Sequence, residues 1–123
     1  MKTTLDPRHL KRVNLLKALY SQKFADTQLP PLSPDEKKMF TAVVKKLPEI
    51  HALIDKHTLK FDSEKMSHLD LAILEIGVYE MMYSKNTPDK VIVDECIELA
   101  KEYAGDNSPK FINGILGKLI SHD

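Results

Sequence analysis

From Leu69 to Met81 the chain is apolar in almost every helical direction: Leu69, Ala72, Ile73 and Ile76 project to one side, Leu71, Leu74, Val78 and Met81 to the other. A helix without a polar face cannot lie on a surface and has to be enclosed by other elements. Its start is marked by Ser67-His68-Leu69-Asp70, a capping box in which a serine is answered three residues later by an acid. The helix it opens is expected to run to about Ser84. A chain of 123 residues makes about one compact domain, so the remaining segments are read as the walls around this helix.

Those segments are helical as well. Asp6-Pro7 is a cap followed by a first-position proline, and the helix it opens should reach about Lys23, with Leu10, Val13, Leu16 and Tyr20 on one side. Ser33-Pro34-Asp35-Glu36 opens a second helix, which Pro48 is expected to end or kink before Glu49–Lys56 resumes. A further helix, about Ile92 to Ala104, should close on Gly105, a residue suited to the left-handed position after a helix. Ser108-Pro109 opens the last. No stretch alternates with a period of two, so the chain reads as an all-α bundle, one domain over residues 1–123. Residues 24–61 are the least legible part.

The last helix asks why a large aromatic, Phe111, follows Lys110 at an open helix start. With Phe111 at zero on a helical wheel, Ile115, Leu119, Ile112 and Leu116 fall at roughly 40°, 80°, 100° and 140°. The core direction lies among them, and Phe111 is on the rim. A rim phenylalanine is either a core residue with one edge in water or a platform on which an unpaired base can stack beside phosphate-binding groups.

Charge excludes some classes. The net charge is zero, which argues against a general nucleic-acid binder, but the charge is divided. Residues 1–23 carry six basic groups against Asp6, a net of +5, and residues 62–102 carry ten acids against four lysines, a net of −6. Such a chain can present opposite faces to different partners. Arg8, Lys11 and Arg12, spaced i, i+3 and i+4, gather on one side of the first helix. No apolar run approaches the ~18 residues of a membrane span, and "MKTTLDPRHLKR" has no signal-peptide core, so a cytosolic protein is expected. The five histidines have no metal-ligand spacing, no nucleotide loop is present, and no cofactor is expected. Cys96, on the apolar side of its helix, reads as a small core hydrophobe. Glu80, on the inner face of the central helix, reads as a hydrogen-bonded structural carboxylate. Nothing in these residues carries catalysis.

The second half of the chain is similar to one family. Ala72-Ile73-Leu74, Tyr79-Glu80, Lys90-Val91, Asp94-Glu95, Glu98-Leu99-Ala100-Lys101, Ser108 and Lys110-Phe111-Ile112-Asn113-Gly114-Ile115-Leu116 resemble the NusB family of bacterial transcription antitermination factors. Arg8, Arg12 and Ala18-Leu19-Tyr20 resemble its N-terminal helix. The resemblance implies two packed three-helix subbundles, with a somewhat trimmed N-terminal half because the linker from Tyr20 to the central helix is short. It implies binding of single-stranded boxA RNA together with NusE, a small-subunit ribosomal protein, in the RNA polymerase antitermination complex, notably on ribosomal RNA operons. Carried over onto this chain, the RNA surface is Arg8, Lys11, Arg12, Tyr20, Lys110 and Phe111, and the NusE surface includes Glu64 and Asp70. A homodimer over the RNA surface is a further association that some relatives form.

Three positions depart from the family. His9 and Leu10 thin the arginine run, Glu75 stands where arginine is usual, and Asn107 stands where an acid is common. Two other readings share the fold. One is an interaction module with weak or lost RNA binding. The other is the RNA-targeting domain attached to some RNA methyltransferases, which the reading of Met1 to Asp123 as a whole protein disfavours.

Overall fold

The computed structural model describes residues 6–58 and 66–121. Five α-helices follow one another: α1 (Pro7–Ser21), α2 (Pro34–Lys56), α3 (His68–Tyr79), α4 (Asp89–Tyr103) and α5 (Ser108–Ser121). No strand occurs among the described residues. Three of the expected starts form, at Ser67 with only the serine's half of the capping box. Asp6 accepts from the Arg8 N–H at 3.0 Å, Ser33 and Glu36 exchange both bonds of a capping box, and Ser67 accepts from the Asp70 N–H at 3.1 Å. The α3 helix passes directly into a wider π-helical turn, Glu80–Ser84. Lys85 closes that turn in the left-handed region (φ 57°), its N–H donating to the Glu80 carbonyl at 3.1 Å.

Two expectations are corrected. Pro48 does not end its helix, since α2 runs through it to Lys56. Proline removes the N–H that the carbonyl of Val44 would accept. Val44 and Pro48 are both exposed, so water can replace the lost bond. Gly105 does not take the left-handed position. The chain leaves α4 at Ala104 in extended conformation (φ −109°, ψ −176°), and no described glycine has positive φ.

Every residue from Leu71 to Val78 is buried, as an all-apolar helix requires. The two three-helix groups are built by sharing this helix: α1 and α2 pack on it from one side, α4 and α5 from the other. Among the described residues only α1 and α2 precede it, in line with a trimmed N-terminal half. The α1 helix runs antiparallel to α3. Arg12 meets Glu80 at the C-terminal end of α3, while Phe24, just past α1, meets His68 at its N-terminal end.

Gly77 is where α3 lies tightest against its neighbours. A Cβ there would stand 2.9 Å from Cys96 Sγ and 3.0 Å from a Leu116 methyl, and both residues are fully buried. Overpacking of this kind costs about 1–3 kcal/mol, against about 1 kcal/mol that alanine gains over glycine inside a helix. Gly77→Ala is therefore expected to lower stability by about 1 kcal/mol net, the middle of the difference, read as a lower urea midpoint. An unchanged midpoint would show that α4 and α5 can move aside. Cys96 is core, as expected, and burial, with Glu80 and Glu95 nearby, pushes its thiol well above the ordinary range.

Candidate nucleic-acid interface

Arg8 and Lys11 are exposed in the first turns of α1, which Asp6 and Pro7 start. Lys11 Nζ lies 3.9 Å from the exposed carboxylate of Asp35, at the start of α2. A pair so open to water contributes little and leaves the ammonium available.

Arg12 is different, and its place among the phosphate contacts is corrected. Its guanidinium is buried and grips Glu80 with two bonds of 2.8 Å, Nε to Oε2 and Nη2 to Oε1, while Nη1 reaches Glu95 Oε1 at 3.5 Å. These contacts, the Glu80 bonds foremost, raise the Arg12 pKa further above its already high ordinary value. Glu80 is thus the structural carboxylate expected of it. Beside this cluster His9 is buried, with Nε2 2.7 Å from Glu102 and Nδ1 3.8 Å from Glu95, neither aligned as a hydrogen bond.

The His9–Glu102 approach sets the first turns of α1 against the last turn of α4. The short connection from α4 then leads to Lys110 and Phe111, so these two share an end of the molecule with Arg8. Lys110 is exposed. Phe111 is half-buried and packs on the edge of the core, while Ile112, Ile115, Leu116 and Leu119 are buried, the arrangement the wheel gives.

Tyr20 is not brought to that end. It lies twelve residues beyond Arg8, about 18 Å along the helix and about 120° round it. Its exposed ring meets Phe24 edge-on (centroids 5.0 Å, 67°), and Phe24 meets His68 in the same way (5.1 Å, 80°). This aromatic group caps the start of α3, two residues from the half-buried Asp70. Glu64 lies outside the described residues.

Glu75 shows how the chain accommodates an acid where arginine is usual. The carboxylate is wholly buried, 2.7 Å from Lys23 Nζ and 2.6 Å from His51 Nε2. One residue of α3 therefore binds the chain just after α1 and the second half of α2.

Sequence reasoning missed a cleft of about 630 Å³ between the start of α1, the start of α2 and the π turn. Arg8 and Lys11 line it, together with Lys38, Met39, Tyr79 and Asn86. Lys38 and Met39 come from residues 24–61, the least legible stretch, and Tyr79 is visible only within the resemblance. Glu36, at the same cleft, accepts from Asn14 at 2.9 Å and from the Ser33 N–H; these bonds lower its carboxyl pKa. Among the described residues no group of His, Cys, Asp or Glu could hold a metal ion, and no helix is long and apolar enough to cross a membrane.

Comparison with known proteins gives consistent matches. The family model "NusB family" matches residues 8–121. "Transcription antitermination protein NusB" of Streptomyces avermitilis is 38% identical over 94 residues, 76% of this chain and 65% of that protein, a little under two-thirds of its length. The protein so named from Carboxydothermus hydrogenoformans is 32% identical over 114 residues, 91% of this chain and 79% of the other. Among solved structures, T. maritima NusB superposes with a TM-score of 0.81 at 30% identity, over 98% of this chain and 93% of the other. A chain from a crystal structure of the antitermination factors NusB and NusE with double-stranded RNA shares the fold at 20% identity, with a TM-score of 0.78, over 95% and 99% of the two chains.

Proposed function

Because this chain belongs to the NusB family, we propose that it acts in transcription antitermination, binding single-stranded boxA-type RNA together with NusE and so modifying RNA polymerase elongation, notably on ribosomal RNA operons. It works by binding and not by catalysis, in the bacterial cytosol, with residues 1–123 as one RNA-binding domain. The observation that carries this is the family match over residues 8–121. The divided charge supports it: the basic start suits RNA and the acidic second half suits a basic ribosomal protein. Arg8, Lys11 and Lys110 attract phosphate, and Phe111 and Tyr20 offer rings to bases. The exposed Tyr20–Phe24 pair lies beside Asp70, where NusE is expected.

The test is a titration with boxA-type RNA, with and without NusE. Arg8, Lys11 and Lys110 as three phosphate contacts give a log–log salt slope of about −2, and Arg8→Ala flattens it by about 0.7. A slope near zero in the wild-type protein would remove RNA from this surface. Asp70→Lys should weaken NusE binding in calorimetry while helical content stays. Equal affinity would move NusE elsewhere. One observation favours a second reading: with Arg12 buried, Arg8 and Lys11 are the exposed cations of the first two turns of α1. An interaction module that needs NusE before it holds RNA fits that thin charge, and the titration without NusE separates the two.

A further inference from the structure

We infer that the cleft between α1, α2 and the π turn takes one nucleotide of a bound RNA strand, with its base against Tyr79. The inference rests on the RNA-binding reading above and assigns a place that reading lacks. The cleft, about 630 Å³, is within the usual size range of ligand sites. Tyr79, Leu15 and Met39 are among the side chains that line it, and an aromatic ring among apolar neighbours is the kind of surface on which a base stacks. Over it stand three exposed cations, Arg8, Lys11 and Lys38.

The acids of the cleft do not cancel these cations equally. Glu80 is gripped by Arg12, and Glu36 is held by Asn14 and its own helix cap. Only Asp35 among the lining acids is open, 3.9 Å from Lys11. An open carboxylate can accept from a ribose hydroxyl, a group that RNA has and DNA lacks. Asn86 and Thr87, from the turn after the π segment, add polar groups that can read a base edge. An apolar slot with an aromatic wall, a cationic rim and polar ends matches a nucleotide. The position of Arg8 on this rim, at the end of the molecule that carries Lys110, joins the cleft to the rest of the proposed RNA surface.

The probe is single-stranded boxA-type RNA carrying 2-aminopurine at successive positions, added to the wild-type chain with NusE. One position should change its fluorescence far more than the others. Tyr79→Leu should abolish that signal and weaken RNA binding about tenfold, within the range of one base–aromatic stack. Ala42→Phe, which fills the cleft from α2, should do the same by occupation, with NusE binding unchanged. RNA binding within twofold of wild type in both variants, or an equal response at every position in the wild-type protein, overturns the inference. If Arg8→Ala still weakens RNA binding in that case, the family reading stands without the cleft. A loss confined to NusE binding in Ala42→Phe would make the cleft a protein site. A mononucleotide binding as tightly as the strand would make it a free-nucleotide site. No RNA binding by the wild-type protein with NusE removes both readings together.

Discussion

Arg12→Ala is expected to lower stability by about 3–5 kcal/mol, the usual result of removing one partner from a buried ion pair. The side chains left behind are the reason. Glu80 and Glu95 have 9% and 5% of their side-chain surface exposed, and the Arg12 guanidinium faces both of them. Without it, two carboxylates share a dry site. Arg12→Lys keeps the charge but not the fork that holds both Glu80 oxygens, and should fall between alanine and wild type. The raised pKa of Arg12 means that, on the alkaline side, its contribution is fully present below the ordinary arginine range and is lost as pH rises into strong alkali. Arg8→Ala, at an exposed position, should stay within about 0.5 kcal/mol of wild type. Urea melts followed by circular dichroism compare the three, and equal midpoints for Arg12→Ala and Arg8→Ala would mean that the cluster contributes nothing.

The second large effect separates two neighbours on α5. Ile115 is 4% exposed and points into the core, so Ile115→Ala should lose about 2–5 kcal/mol of stability. RNA affinity should remain wherever the protein is folded. Phe111 sits one turn earlier with part of its ring in water. Phe111→Ala should cost less than the ~3–5 kcal/mol of a fully buried phenylalanine and should weaken RNA binding by about 1–3 kcal/mol, one base stack. Folded Phe111→Ala protein that binds RNA normally, with a stability loss as large as that of Ile115→Ala, would make the ring a core residue and nothing more.

What the sequence made legible is what neighbours along the chain decide. The caps at Asp6, Ser33 and Ser67 and the apolar wheel of α5 depend on residues within a turn or two, and all of them form. The enclosed α3 follows from composition alone. Arg12 departs from its expected place because spacing puts it beside Arg8 and Lys11, whereas its position is decided by Glu80 and Glu95, 68 and 83 residues away. Pro48 does not end its helix and Gly105 takes no left-handed turn for a related reason. Proline disfavours a helix interior and glycine permits a left-handed turn, but neither residue compels its outcome. The cleft could not be foreseen, since its wall combines α1 and α2 with a π turn that no local pattern announces.

A helix that serves two bundles leaves the chain indivisible. Cut in the turn after Lys85, the first fragment would keep α1 to α3 but leave one flank of α3 wet. The second would be a hairpin with its apolar side facing nothing, and short helices without a packing partner are marginal in water. Amide protons throughout α3, and in the parts of its four neighbours that touch it, should therefore exchange through one common opening rather than half by half. Anything that binds either end of the molecule then slows exchange at the other by mass action on that single opening, with no movement of the folded chain required.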